Sequence, residues 1–198
     1  MTNAADALRP LLYGDVPMDQ WPEGDDHAEA PFDLFVRART HLADGDQDLA
    51  VRAWSAIAHD ETLESRNRLQ AWQFLRSINV HPDETLVARQ AWGVVVEVPI
   101  DGGHDVLAAY AVGGVRYLNH AGGATVLDEG QGGEKVLVAR DRLLVAGQAL
   151  ADVLGPWTEP ALPEVPADQT RLLVLTPGGH RFGQGPDELF ASFDRAPI

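Results

Sequence analysis

The sequence predicts an α+β protein, with a helical hairpin region packed against an antiparallel sheet of five or six strands and a crossing helix. Two observations carry that expectation. Residues 93–128, GVVVEVPIDGGHDVLAAYAVGGVRYLNHAGGATVLD, read as three or four short strands separated by Gly-containing turns, the pattern of an antiparallel meander. Helical spacing of apolar residues fills the stretch before the meander and returns after it. The 198 residues, 45% apolar, suffice for one substantial core. We divide the chain into an N-terminal arm over 1–30, a helical region over 31–90 and an antiparallel α+β region over 91–198, the last two forming one compact unit.

Residues 4–13 suit a short helix that Pro10 must kink or end. VPMDQWPEGDDHAEAP then mixes Pro, Gly and five acids with the apolar anchors Met18 and Trp21, as expected of an arm that crosses the surface and tucks Trp21 into a groove. After Pro31, a residue suited to a first helical turn, Phe32, Phe35, Ala38 and Leu42 recur at helical spacing until Asp44-Gly45-Asp46 breaks the run. A second helix follows with Leu49, Ala53, Trp54, Ile57 and Ala58 on one face. A third, over 61–77, brings Leu63, Leu69, Trp72, Phe74 and Leu75. The paired helices resemble a single tetratricopeptide-type hairpin. Such arrays need about three stacked repeats and no second copy follows, so these helices must lean on the sheet.

Residues 79–90 give a turn at His81-Pro82-Asp83 and a helical turn or two. In the first strand Val94, Val96, Val98 and Ile100 face one way, Val95 and Glu97 the other. Asp101-Gly102-Gly103 marks a hairpin, residues 106–111 an Ala-rich second strand, and residues 115–120 and 124–127 a third and fourth. Beyond a Gly-rich acidic loop, a long helix is expected to start between Val136 and Asp141 and to end at Gly155 as its C-terminal cap, with Pro156 just past it. A Pro-rich connector leads to a strand over 171–175, a turn at Pro177-Gly178-Gly179, a returning strand over 180–184 and a last short helix opened by Pro186. The order of elements is that of profilin-like and roadblock-like folds, an analogy that carries no function with it.

Charge narrows the function. Thirty acids against 15 bases give a net −15, and Lys135 is the one lysine. Nucleic-acid binding is excluded on that ground, because phosphate neutralisation needs clustered Lys and Arg. The acidity is not a segregated tail: residues 1–90 carry 16 acids against 8 bases and residues 91–198 carry 14 against 7. Zero cysteines remove disulfides, thiolate nucleophiles and Cys-ligated metals, which suits a reducing cytoplasm. The N-terminus has no signal-like apolar core and no later run reaches the roughly 18 residues of a membrane span, so no membrane partner is expected.

Several short motifs fail. His81-Pro82-Asp83 copies the tripeptide of J-domain co-chaperones without their basic helix. Asp44, Asp46 and Asp48 imitate a calcium loop, but Leu49 stands where Gly is needed and Ser55 where a bidentate Glu is needed. Residues 130–135 lack the phosphate-loop spacing, and Val136 replaces its Ser or Thr. There is no nucleophile elbow and no zinc helix, and no cofactor or metal is predicted. His104, His120 and His180 fall at strand ends or turns, near Asp105, Arg116, Asn119 and Arg181 in sequence, without a metal-ligand spacing among them. Glu97 inside VVVEV either faces solvent, the arrangement we expect, or lies under a helix paired with an arginine such as Arg116. TPGGHRFGQGP either lets backbone approach a ligand or, as we expect, makes a tight hairpin.

LYGDVPMDQW, RLQAWQFLR, GVVVEV with LAAYA and RYLNHAG, and LTPGGHRFGQGP resemble a bacterial family of hypothetical proteins with no known activity. The resemblance spans residues 12–186. It implies an intact, independently folded protein and brings no cofactor or site.

The expected function is a non-catalytic cytosolic acidic binding protein, an inhibitor or immunity-type protein or an adaptor for a basic protein partner. Trp21 and Trp157 are its candidate partner-binding residues. The alternative is a small-molecule sensor or enzyme with a pocket at the sheet edge formed by Arg116, Asn119, His120 and His180. A third reading is a scaffold that forms a homodimer through the sheet edge.

Overall fold

A computed structural model describes residues 4–21, 29–83, 86–159, 162–186 and 188. Helices α1 (Ala4–Tyr13), α2 (Phe32–Ala43), α3 (Gln47–His59) and α4 (Ser65–Ser77) precede strands β1 (Gly93–Ile100), β2 (Gly103–Tyr110), β3 (Val115–Leu118) and β4 (Ala124–Leu127). Helix α5 (Gly133–Val153) then returns the chain from the sheet edge to β5 (Thr170–Thr176), and a tight turn gives β6 (Gly179–Gly185). The six strands pair antiparallel in the order β4-β3-β2-β1-β5-β6. This is the α+β architecture that the meander and the flanking helical periodicity predict.

Strand alternation builds three layers. Val95, Ala108, Tyr110, Leu173 and Leu175 share one sheet face and pack with Phe35, Trp54, Ile57, Phe74 and Leu75 of the helical layer. On the other face Val94, Leu172 and Val174 meet Ala151 of α5. Close approach of α5 depends on Gly147, where an added Cβ would lie 2.3 Å from Val94 Cγ2.

Boundaries differ from the expected ones for local reasons. Helix α1 runs through Pro10 to Tyr13 and ends at Gly14, whose φ of +64° an L side chain rarely adopts. The Asp15 N–H then donates to Pro10 O at 3.3 Å, closing the last turn. Helix α5 starts three residues before the earliest expected position and stops at Val153, because Leu154 is extended; Gly155 is not its cap. Instead Arg181 of β6 reaches across the sheet and donates to Ala151 O at 3.2 Å and to Leu154 O. The third helix starts at Ser65 rather than at 61. The final short helix expected after Pro186 lies outside the described residues.

The N-terminal segment is tied into the core. Tyr110 Oη donates to Leu12 O at 2.6 Å, and the Gln70 side chain exchanges two 2.9 Å bonds with the Val16 backbone. Trp21 lies against Phe32 and Phe35, with ring centroids 5.7 and 5.9 Å apart. Glu97 corrects the solvated expectation, for it is 1% exposed on the helical face of β1. Tyr13 Oη donates to it at 2.6 Å, while Arg9 and Arg171 approach at 3.4 and 3.5 Å. Its arginine partners therefore come from α1 and β5, and Arg116 is not among them.

Candidate functional site

The pocket expected from Arg116, Asn119, His120 and His180 does not assemble, because the strand order separates its members. Arg116 and His180 lie on β3 and β6, four strand spacings apart, which is roughly 19 Å. His120 also sits at the opposite end of the strands, where its N–H donates to Asp105 Oδ1 at 2.9 Å, while His180 pairs with Leu175 near the Gly93 end. Each of the other three has structural work. Arg116 contacts Glu64 at 3.5 Å and Asp128 at 3.3 Å and donates to Leu127 O at 3.1 Å, tying α4 to the β4 end. Asn119 Oδ1 accepts the Gly123 N–H at 2.8 Å, closing the β3–β4 turn. His120 leans on Asp105, which Tyr117 also binds.

His180 belongs to a different cleft, of about 710 Å³, on the helical side of the sheet. That is within the roughly 300–1,000 Å³ of small-molecule sites. Its walls are α1 and the turn after it (Arg9, Tyr13, Asp15), the end of α4 (Gln73, Arg76), and the connector with the β5–β6 turn (Trp157, Gly179, His180). The local sequence places each wall. Gly14 bends the chain so that Asp15 faces His180, with Asp15 Oδ2 3.8 Å from His180 Nδ1. Asn79, at φ +63°, ends α4 in a Schellman turn, the Val80 N–H donating to Leu75 O at 2.9 Å, and leaves Arg76 in the last turn. Pro177-Gly178 is the two-residue turn of the expected hairpin, and Arg76 Nη1 donates to Pro177 O at 2.5 Å. The Trp157 N–H donates to His180 O at 2.7 Å, which holds the connector along β6. The Trp157 ring stands edge-on to Phe182 at 4.9 Å.

The chemistry of the cleft follows from which atoms are bonded. A carbonyl only accepts, so the 3.1 Å contact from His180 Nε2 to Tyr13 O places the proton on Nε2 and leaves Nδ1 as a lone pair. Asp15 Oδ1 is buried and makes no hydrogen bond. Burial pushes the Asp15 carboxyl up to about 6, against the pull of Arg76 and of its own backbone N–H. Burial also pushes His180 down to about 4, the Arg76 charge adding to it and the bond to Tyr13 opposing it. Arg76 itself falls to about 10 through burial, with Asp15 opposing. Tyr13 is pushed far up, by burial first and then by the Glu97 charge, so it acts here as a neutral donor.

A second depression of about 400 Å³ is lined by Glu134, Lys135, Val138, Ala139 and Arg142, all on the exposed face of α5, and offers no convergent chemistry. Among the described residues no group of three or more His, Cys, Asp or Glu is arranged to hold a metal ion, and no helix is long and apolar enough to cross a membrane. No family model, curated protein or solved structure matches the chain.

Sequence reasoning singled out His180 and Trp157 for separate roles, and the fold brings them to one cleft. It missed Asp15, Arg76 and Arg9. One signal was available for Asp15: Gly14-Asp15 directly follows an apolar helical run, where a glycine turn leaves the next side chain aimed back at the packed face. Nothing local marks Arg76, because an arginine in a last helical turn is the ordinary complement of the helix dipole.

Proposed function

We propose that the protein binds a small polar molecule in the cleft between α1, α4 and the β5–β6 turn. One observation carries the reading. The Asp15 carboxylate and the His180 Nδ1 lone pair face each other at 3.8 Å, beyond hydrogen-bonding distance, and Asp15 Oδ1 is buried without a partner. Polar groups in a cleft wall are normally bonded, so Asp15 Oδ2 and His180 Nδ1, two acceptors set side by side with no donor between them, favour a ligand that brings the donors. Native mass spectrometry of the protein purified from its own source tests this. A small-molecule adduct is expected in the wild type and in His120→Ala, and it should be lost in His180→Ala and Trp157→Ala with the circular dichroism spectrum unchanged. No adduct, and none gained on incubation with deproteinised lysate, refutes the reading.

A second reading, a cytoplasmic acidic protein that docks a basic protein partner, rests on the net charge of −15 spread over both halves of the chain. Its partner should be captured from lysate at low salt and released at high salt. A complex indifferent to salt would argue against electrostatic docking.

A further inference from the structure

Resting on the cleft as a small-molecule site, we infer that its ligand is a zwitterionic amino acid, the ammonium on Asp15 and His180 Nδ1, the carboxylate on Arg76 and the side chain along Trp157. Two acceptors stand together on one wall, Asp15 Oδ2 and His180 Nδ1, with the buried Asp15 Oδ1 behind them, and an ammonium brings donors for both. The facing wall is cationic. Arg76 spends Nη1 on Pro177 O at 2.5 Å and Nη2 on Gln73 Oε1 at 3.2 Å, and a guanidinium has five N–H groups in all. Arg9 adds a second positive charge on the same side as Tyr13, where it also meets Glu97 at 3.4 Å.

Opposite charges held apart favour a dipolar ligand. Asp15 and Arg76 influence one another's ionisation, yet among the described residues they form no direct ion pair, and Asp15 faces the neutral His180 instead. A simple anion would meet the Asp15 carboxylate and a simple cation would meet Arg76 and Arg9. A molecule carrying both charges on neighbouring atoms satisfies both walls at once. The connector wall offers apolar surface from Pro156, Leu162 and Trp157, which is 37% exposed, alongside Thr158 and Glu159. A volume of about 710 Å³ leaves room for a large side chain there.

Isothermal titration calorimetry on the full chain decides the matter, with each standard L-amino acid as probe, then the N-acetyl and amide derivatives of the tightest binder, and inorganic phosphate. One or more L-amino acids with large apolar side chains should bind saturably. N-acetylation or amidation should weaken binding about tenfold or more, the loss of a charged hydrogen bond, and Asp15→Asn should do the same while its thermal midpoint shows it folded. Binding that survives both derivatives, phosphate competing at the site, or no amino acid binding at all would overturn the inference. Failure of the amino acids alongside a persistent small-molecule adduct in native mass spectra leaves the cleft standing and rejects only the ligand class. Failure of both rejects the cleft as well.

Discussion

Glu97 shows what a single buried carboxylate does to its surroundings. It draws Arg9 and Tyr13 of α1 and Arg171 of β5 onto one strand position, and removing it takes the acceptor from the buried Tyr13 hydroxyl and leaves the buried Arg171 guanidinium to Gln184 and Pro163 O. Glu97→Ala should therefore cost about 3–5 kcal/mol in urea denaturation, against about 1 kcal/mol or less for Asp128→Ala, whose carboxylate is 62% exposed beside Arg116. The pair in the cleft gives a pH prediction whose sign is fixed by the direction of each shift. Asp15, raised, adds stability at low pH that is lost as pH climbs through about 6. His180, lowered, adds stability that is lost as pH falls from its ordinary 6.5 through about 4. Between those limits the folded pair carries its one proton on Asp15 and the unfolded chain carries it on His180, so the two slopes oppose. Arg76 from α4 keeps its charge throughout, and Arg9, His81 and Glu159 are the other ionisable groups lining the cleft. Relative to wild type, Asp15→Asn should gain stability between pH 4 and 6.5, on the order of 2–3 kcal/mol. His180→Gln should lose stability as pH rises from 4 to 6. Urea midpoints measured across pH 4–7 check both slopes, and parallel curves for the two variants would contradict the assignment.

At the scale of elements, α5 and α1 are held by different means. Helix α5 is 21 residues long but buries only Gly147 and Ala151, so its seat depends on that close approach and on the Arg181 cap. Gly147→Ala should destabilise by about 1–3 kcal/mol despite the better helix propensity of Ala, because the new methyl meets Val94 inside the sheet. Gly155→Ala should be near neutral by the same thermal unfolding measurement, since nothing lies within 4 Å of its added Cβ. Helix α1 is instead pinned by side chains that satisfy its last carbonyls, Tyr110 on Leu12 O and His180 on Tyr13 O. Pro10 is tolerated inside it for that reason: the C-terminal turn is held from outside the helix.

At the scale of the whole molecule, the sheet decides what can act together. His120 and His180 occupy diagonal corners of the sheet, so the double-mutant cycle His120→Ala with His180→Ala should give a coupling within about 0.5 kcal/mol. A larger coupling would contradict the separation. The meander, the hairpin at Pro177-Gly178 and the in/out alternation of β1 were legible because strand period and glycine turns are local properties. Chain position alone could not show that β5 would insert beside β1 and carry His180 away from β3, nor that Gly14 would swing Asp15 against it. The facing of Glu97 was legible as a register, with Val95 beside it, yet its burial depended on Arg9 and Arg171, which stand 88 residues before and 74 after it. By itself the sequence determined the α+β class, the elements and the absence of thiol chemistry, since these follow from composition and short-range periodicity. Only the tertiary structure decided which polar side chains meet, because pairing at long range is set by strand order and helix docking rather than by the residues on either side.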